Sequence, residues 1–318
     1  MKPKTLLTGR TGQIGAELLR LLPRLVEVIA PDRGELDLLK PGDIRRTIRE
    51  VRPRLIVNAA GYTAVDRAET DEVTARAINA EAPALMAREA RLAGAAFLHY
   101  STDYVFDGLK KTPYEETDPP SPVNIYGKTK LEGEQAVRES GVPHLIIRTA
   151  WVYGARGQNF LLTILRLATQ RQELRVVNDQ IGAPTWSREI AGATSSILAK
   201  LLASEERLDS LAELGGTYHL TAAGNTTWYE FAQTILEEAS RISSSVSWFR
   251  TATGGQPLIA RRVIPVSTRE YPTPAARPAY SVLSNSRVAR AFGCELADWR
   301  AQLQDLFSPK RSGRRRKF

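Results

Sequence analysis

The chain has a single cysteine, Cys294, in 318 residues, so no disulfide can form within it. Its three histidines, His99, His144 and His219, are scattered, and there is neither an HExxH pair nor a cysteine cluster. No metal site can be assigned from them. The absence of a GxSxG turn excludes the serine-hydrolase elbow. No apolar run reaches the roughly 18 residues of a membrane helix. The nearest stretch, LLRLLPRLVEVIA (18–30), is broken by Arg20, Pro23, Arg24 and Glu27. The N-terminal MKPKTLLTGR lacks the apolar segment of a secretory signal. No internal repeat is visible. These absences fit a cytosolic protein that makes no use of the membrane.

What is present is an ordinary globular balance, 42% hydrophobic and 25% charged, which excludes wholesale disorder. The net charge of +9 is uneven. Six basic residues fall in the last nine, KRSGRRRKF (310–318), and the remainder holds 38 basic against 35 acidic residues. With a body so near neutral, the tail reads as a solvated, disordered end, and nucleic acid is not an expected partner.

Short apolar runs alternate with helical periodicity through the first half. Strands are expected at KTLLTG (4–9), LVEVIA (25–30), RLIVNAA (54–60), AAFLHYS (95–101) and HLIIRTAWVYG (144–154). Helices are expected at 11–22, 43–52, 71–92 and 125–139. This order predicts an α/β fold: a Rossmann-type doubly wound parallel sheet over residues 1–154, with a helix near 187–203 returned to it. Residues 155–306 read as a smaller, mostly helical substrate domain with helices near 159–171, 187–203, 227–241 and 285–305. Residues 307–318 form the basic tail.

The first chemical signal is TGRTGQIG (8–15). Gly9, Gly12 and Gly15 recur every third residue between a strand and a helix. Glycine allows the tight turn and lets a pyrophosphate approach the backbone, while the helix start offers free N–H groups. Asp32, at the end of the second strand, can accept hydrogen bonds from an adenosine ribose, which favours NAD. Arg33 beside it and Arg10 in the loop can meet a 2′-phosphate, which favours NADP. Tolerance of both cofactors is therefore expected.

The second signal is HYSTDYVFDG (99–108), which groups Ser101, Thr102, Asp103 and Tyr104 at a strand's carboxyl end, where open α/β sheets bind ligands. The third is Tyr126 and Lys130 in SPVNIYGKTKLEGE (121–134). Spaced four apart, they share one helical face. A nearby ammonium favours the phenolate and would bring the tyrosine toward acid–base work. The fourth, Trp151 in RTAWVYG (148–154), could stack on a sugar or fill the core.

Together these motifs resemble the extended short-chain dehydrogenase/reductase superfamily and, within it, the dTDP-4-dehydrorhamnose reductase family. The likeness runs from about residue 4 to 306 and includes NAAGYTAVDRAE (58–69), NDQIGAPT (178–185) and YPTPAARP (271–278). It implies NADPH- or NADH-dependent reduction of the C4 keto group of dTDP-4-dehydro-β-L-rhamnose, the last step of dTDP-L-rhamnose synthesis. Thr102, Tyr126 and Lys130 match the catalytic trio: Thr102 on the C4 carbonyl, Tyr126 as proton donor, Lys130 on the nicotinamide ribose and lowering the tyrosine pKa. Thr102, Asp103 and Trp151 are expected to meet the substrate. Gly12, Gln13 and Ile14 fall in the pyrophosphate loop, and Asp32, Asp37, Leu38, Gly61, Tyr62 and Thr63 on the adenosine side, with Gly61 where alanine is common.

Some members dimerise around Mg²⁺ through carboxylates. Those ligands cannot be mapped onto this chain, so a homodimer and Mg²⁺ stay open. A sugar-nucleotide 4,6-dehydratase would need Asp-Glu after the threonine, and here Tyr104 follows Asp103. A reductase of another 4-keto sugar nucleotide and a non-catalytic nucleotide-binding regulatory subunit are the other readings. Retention of both Tyr126 and Lys130 argues against the latter.

Overall fold

The structure is a computed structural model and describes residues 2–202, 211–242 and 245–308. The basic segment 310–318 and the last residue of the predicted 187–203 helix lie outside them. Five strands come from the first half of the chain: β1 (Lys4–Thr8), β2 (Glu27–Ile29), β3 (Leu55–Asn58), β4 (Ala96–Thr102) and β5 (His144–Thr149). A sixth, Gly216–His219, arrives from the second half and pairs with β5. The spatial order is Gly216–His219, β5, β4, β3, β1, β2, all parallel.

Strand side chains alternate between faces, and here each face is covered. Leu7, Val57, Leu98 and Ile147 point into one core with Leu18, Leu22 and Ile197. Their neighbours Leu6, Ile56, Phe97 and Ile146 point into another with Ile44, Ile48, Leu85 and Met86. Burial on both sides explains why the strands read as continuous apolar runs. Helix α1 (Gln13–Leu21) and the helix Ser187–Leu201 pack together on the first face. Helix α2 (Pro41–Val51), the helix Ala82–Leu92 and the helix Ile125–Glu139 cover the second. In α2, Ile44 and Ile48 lie one turn apart on the buried side, Pro41 occupies the first turn, and Arg52 ends the helix at φ 48°.

A second lobe has its own core of Leu161, Leu165, Leu174, Phe231, Trp299 and Leu303. Its helices include Phe160–Ala168, Trp228–Ala239, Ser247–Thr253 and Trp299–Phe307. It also contains a parallel strand pair, Glu173–Val177 with Arg262–Val266, which the sequence did not reveal because charged and proline positions interrupt ELRVV and RVIPV.

Several expected elements differ. The second strand is trimmed to Glu27–Ile29, so Asp32 lies three residues beyond its end. The 144–154 strand breaks after Thr149: Trp151 adopts φ 46°, and Val152–Tyr153 then pairs with Thr185–Trp186. The 71–92 helix contains a π segment, Ala77–Glu81. The 285–305 helix is two, Ser286–Phe292 and Trp299–Phe307, separated after Gly293 at φ 57°.

Candidate active site

A crevice of about 710 Å³ opens at the carboxyl ends of β1, β3, β4 and β5. This is where the strand order reverses, between β1 and β3, and where α/β sheets take ligands. Gly9, Gly12, Gln13, Ile14, Asp32, Arg33, Asp37, Leu38, Gly61 and Thr63 line it at one end. Thr102, Asp103, Tyr126, Lys130 and Trp151 line it at the other. Of the residues singled out from sequence, Gly15 and Tyr62 do not line it.

The glycine turn is built by close backbone approach. Gly9 has φ 76°, and a Cβ there would lie 2.6 Å from the Ala59 carbonyl. A Cβ on Gly15 would lie 2.1 Å from Gly9 O. Gly15 therefore serves to close α1 onto the loop. Gly12 caps α1 in an extended conformation with no side chain bonded to the first turn, so the helix start is available to an anion. This cradle fits a dinucleotide pyrophosphate. Gln13 looks away from it: its Nε2 donates to Val152 O (3.3 Å), and its Oε1 accepts from Asn159 Nδ2 (2.8 Å).

At the end of the crevice near β2, Asp32 Oδ1 accepts from the Gly34 and Glu35 amides at 2.8 and 3.1 Å. Arg33 is exposed at the rim, and Arg10 donates to Ala30 O at 2.9 Å. Tyr62 turns its hydroxyl to Asp71 Oδ2 (3.0 Å), which removes it from the crevice wall. Its neighbours Gly61 and Thr63 stay.

The end lined by Tyr126 is fixed by one helix cap. Asn124 Oδ1 accepts from Gly127 N (2.8 Å), while its Nδ2 donates to Ala276 O (2.7 Å). Gly127 and Gly133 let the helix Ile125–Glu139 press against its surroundings: a Cβ on either would lie 2.1 Å from a backbone oxygen, Tyr104 O or Asn79 O. The Tyr126 ring consequently meets Tyr104 edge-on, at 5.8 Å.

Thr102, the last residue of β4, donates to Asp103 Oδ1 at 3.0 Å and accepts from Tyr104 N at 3.2 Å. Burial pushes the Asp103 carboxyl up to about 7, against the pull of the Ser281 and Thr102 hydroxyls. Burial likewise pushes Tyr126 up to about 12. The Thr102 hydroxyl works to lower it, and the Asp103 charge adds to the rise.

Lys130 is turned to β4. Lys130 Nζ donates to Tyr100 O (2.6 Å) and faces His99 Nε2 (3.3 Å). The orientation of His99 follows from its neighbour. Asn58 Oδ1 takes the Thr8 hydroxyl (2.6 Å) and the Ala60 amide (3.2 Å), so Asn58 Nδ2 must donate to His99 Nδ1 (3.1 Å). Burial keeps His99 neutral, which leaves its proton on Nε2, facing the lysine. Burial lowers Lys130 to about 8, opposed by Glu134, and a donor on this side also disfavours the ammonium.

Sequence reasoning missed Asn58 and His99 as the neighbours that set the surroundings of the lysine. It also missed Trp228, which lines the crevice and stacks on Trp151 with ring centroids 3.4 Å apart, and Arg277, which binds Asp66 Oδ2 at 2.8 Å. Asn58, Asp66 and Arg277 lie inside motifs noted above, but nothing local in those motifs shows their partners. Trp228 looks like an ordinary helix-start aromatic. Among the described residues, no group of three or more His, Cys, Asp or Glu could hold a metal ion, and no helix is long and apolar enough to cross a membrane.

A phenol and a threonine hydroxyl meeting where the β4 strand ends, in the same crevice as a three-apart glycine turn, define a nicotinamide-dependent oxidoreductase of the short-chain dehydrogenase/reductase class. Comparison with known proteins narrows this. Residues 3–312 match the family model described as the RmlD substrate binding domain, and the chain belongs to this family, that of the dTDP-4-dehydrorhamnose reductases. It is 48% identical to the dTDP-4-dehydrorhamnose reductase of Burkholderia thailandensis over 297 residues, 93% of this chain and 95% of the relative. Against the Escherichia coli K12 enzyme of the same name it is 42% identical over 311 residues, 95% of this chain and 98% of the relative. The crystal structure of dTDP-4-dehydrorhamnose reductase from Bacillus anthracis in complex with NADP superposes with a TM-score of 0.82 at 34% identity, covering 96% of this chain and 99% of that one.

Proposed function

We propose that this chain reduces the C4 keto group of dTDP-4-dehydro-β-L-rhamnose to give dTDP-β-L-rhamnose, with Tyr126 as proton donor. The family membership supports the substrate. The observation that carries the chemistry is the convergence of the Tyr126 phenol, the Thr102 hydroxyl and the glycine turn on one crevice. When bound, NADPH or NADH supplies a hydride to C4.

The residues in this reading have distinct tasks. The turn of Gly9, Gly12, Gln13 and Ile14 seats the pyrophosphate on the start of α1. Asp32, Arg33, Asp37, Leu38, Gly61 and Thr63 surround the adenosine half. Tyr126, raised to about 12, holds its proton at neutral pH, the state a donor requires. Thr102 hydrogen-bonds the carbonyl oxygen and orients it toward that phenol. To make that bond Thr102 turns its single hydroxyl proton from Asp103 Oδ1, which accepts it in this structure, to the ketone. Lys130, held near β4 with a lowered pKa, donates a remaining N–H to the nicotinamide ribose. Trp151 forms part of the wall against which the sugar lies. The same reading puts the enzyme in the cytoplasm with its reductant, acting on a nucleotide sugar.

Mixing the purified protein with NADPH and the 4-keto sugar nucleotide tests it. The near-ultraviolet absorbance of the reduced nicotinamide should fall, with one sugar alcohol formed per NADPH. No loss of absorbance with this substrate, but loss with another 4-keto sugar nucleotide, would reassign the sugar. No loss with any of them would leave a nucleotide-binding protein without this activity.

A further inference from the structure

We propose that Trp228 is a positioning residue for the nucleotide sugar, holding the Trp151 indole at one setting in the crevice. The inference rests on the substrate role given above to Trp151. Trp151 sits at φ 46°, a conformation that bulky side chains rarely adopt and that persists only where the surroundings impose it. Its ring packs on Gly182: a Cβ there would lie 2.3 Å from Trp151 Cε2 and 2.5 Å from its Nε1. Any other residue at 182 would displace the indole.

The Trp228 ring lies parallel to that of Trp151, 3° from coplanar with centroids 3.4 Å apart. Aromatic pairs left to themselves prefer offset or edge-on contact, so this face-to-face arrangement is set by its anchors. Trp228 Nε1 donates to Gln180 Oε1 (3.2 Å), and Gln180 is itself held by Thr268 (3.0 Å). One residue earlier, the hydroxyl of Thr227 donates to Asn178 Oδ1 (2.8 Å) and accepts from Glu230 N (3.1 Å), starting the helix that carries Trp228. The segment NDQIGAPT (178–185) thus anchors the helix start, ties down one indole and makes room for the other. Both indoles are only half-buried, and both line the crevice. Anchors that specify a ring's angle at a ligand wall serve orientation, which simple core filling would not require.

The test uses the full-length enzyme with NADPH and the 4-keto sugar nucleotide. Trp228→Ala should raise the KM for the sugar about tenfold, the scale of one lost aromatic contact, with kcat changed by less than about threefold. The NADPH Kd should stay constant, and Trp228→Phe should restore most of the sugar affinity. The far-ultraviolet exciton signal of paired indoles should vanish in both variants. If Trp228→Ala does not fold, Gln180→Leu, which frees the Trp228 indole without removing it, carries the test and should raise the same KM. An unchanged sugar KM alongside a lost exciton signal would overturn the proposal, as would an equal loss of NADPH affinity. Trp151→Ala separates the two layers. If it also leaves the KM unchanged, the fault lies in the substrate role of Trp151. If it raises the KM while the Trp228 and Gln180 variants do not, the positioning role alone falls.

Discussion

The two ends of the crevice are made from different materials. At the glycine turn the wall is backbone: Gly9 and Gly15 matter for what they lack, since a Cβ on either would strike main-chain atoms. At the end lined by Tyr126 and Trp151 the wall is side chain, drawn from segments far apart in sequence. Asn58, His99 and Lys130 meet from two strands and a helix, and Trp151 meets Trp228 across 77 positions. A wall of main chain tolerates little change but needs few partners. A wall of side chains can be tuned residue by residue, at the cost of depending on the whole fold.

The sharpest way to probe this contrast is Tyr126→Phe. Removing the proton donor while keeping the ring should lower kcat about a thousandfold, within the usual range for a lost general acid, with NADPH affinity unchanged by direct titration. Near-normal turnover would remove Tyr126 from the chemistry.

Next in size is Asp103. Its carboxyl, raised by burial to about 7, binds a proton more tightly in the folded than in the unfolded chain. The resulting stability is fully present below about pH 4 and lost as pH rises through about 7. Burial lowers the pKa values of His99, His144 and His219 and sets an opposite trend, so the test is the difference: Asp103→Asn should gain a few kcal/mol of urea-unfolding stability relative to the wild type between about pH 4 and 7. A difference independent of pH would show that the carboxyl does not titrate in this window.

On the backbone side, Gly15→Ala should cost about 2 kcal/mol of stability through overpacking against Gly9 O, read from the urea midpoint. It should also weaken NADPH and NADH alike, since both use the turn. The smallest effect is at the rim: Arg33→Ala should weaken NADPH about tenfold through the lost phosphate contact, leaving NADH within error. Equal losses would mean that Arg33 does not read the 2′-phosphate.

Legibility in the sequence followed the same division. The glycine turn was readable because its strand, turn and helix are contiguous, and a backbone site needs only local chemistry. Thr102, Tyr126 and Lys130 were readable as motifs, and they line one crevice. The direction in which Lys130 points was not: it depends on His99, whose tautomer depends on Asn58, whose amide is set by Thr8 and Ala60. Trp228 had no signal, since an aromatic at a helix start is equally at home in a core. In the fold, the apolar strands of the first half were clear, while Gly216–His219 (GTYH) and the pair ELRVV and RVIPV, broken by polar, charged, glycine or proline positions, showed no continuous apolar run. The apolar run at 144–154 hid its break because nothing in RTAWVYG marks Trp151 for a left-handed conformation.

One side chain joins the two materials. The Gln13 amide, rooted in the glycine turn, donates to Val152 O on one side and accepts from Asn159 on the other, while Asn159 also caps the first helix of the second lobe. Prising the lobes apart at this point would cost the amide oxygen its Asn159 partner while leaving Val152 in place. The crevice is therefore stitched here along a seam that joins the backbone wall to the second lobe.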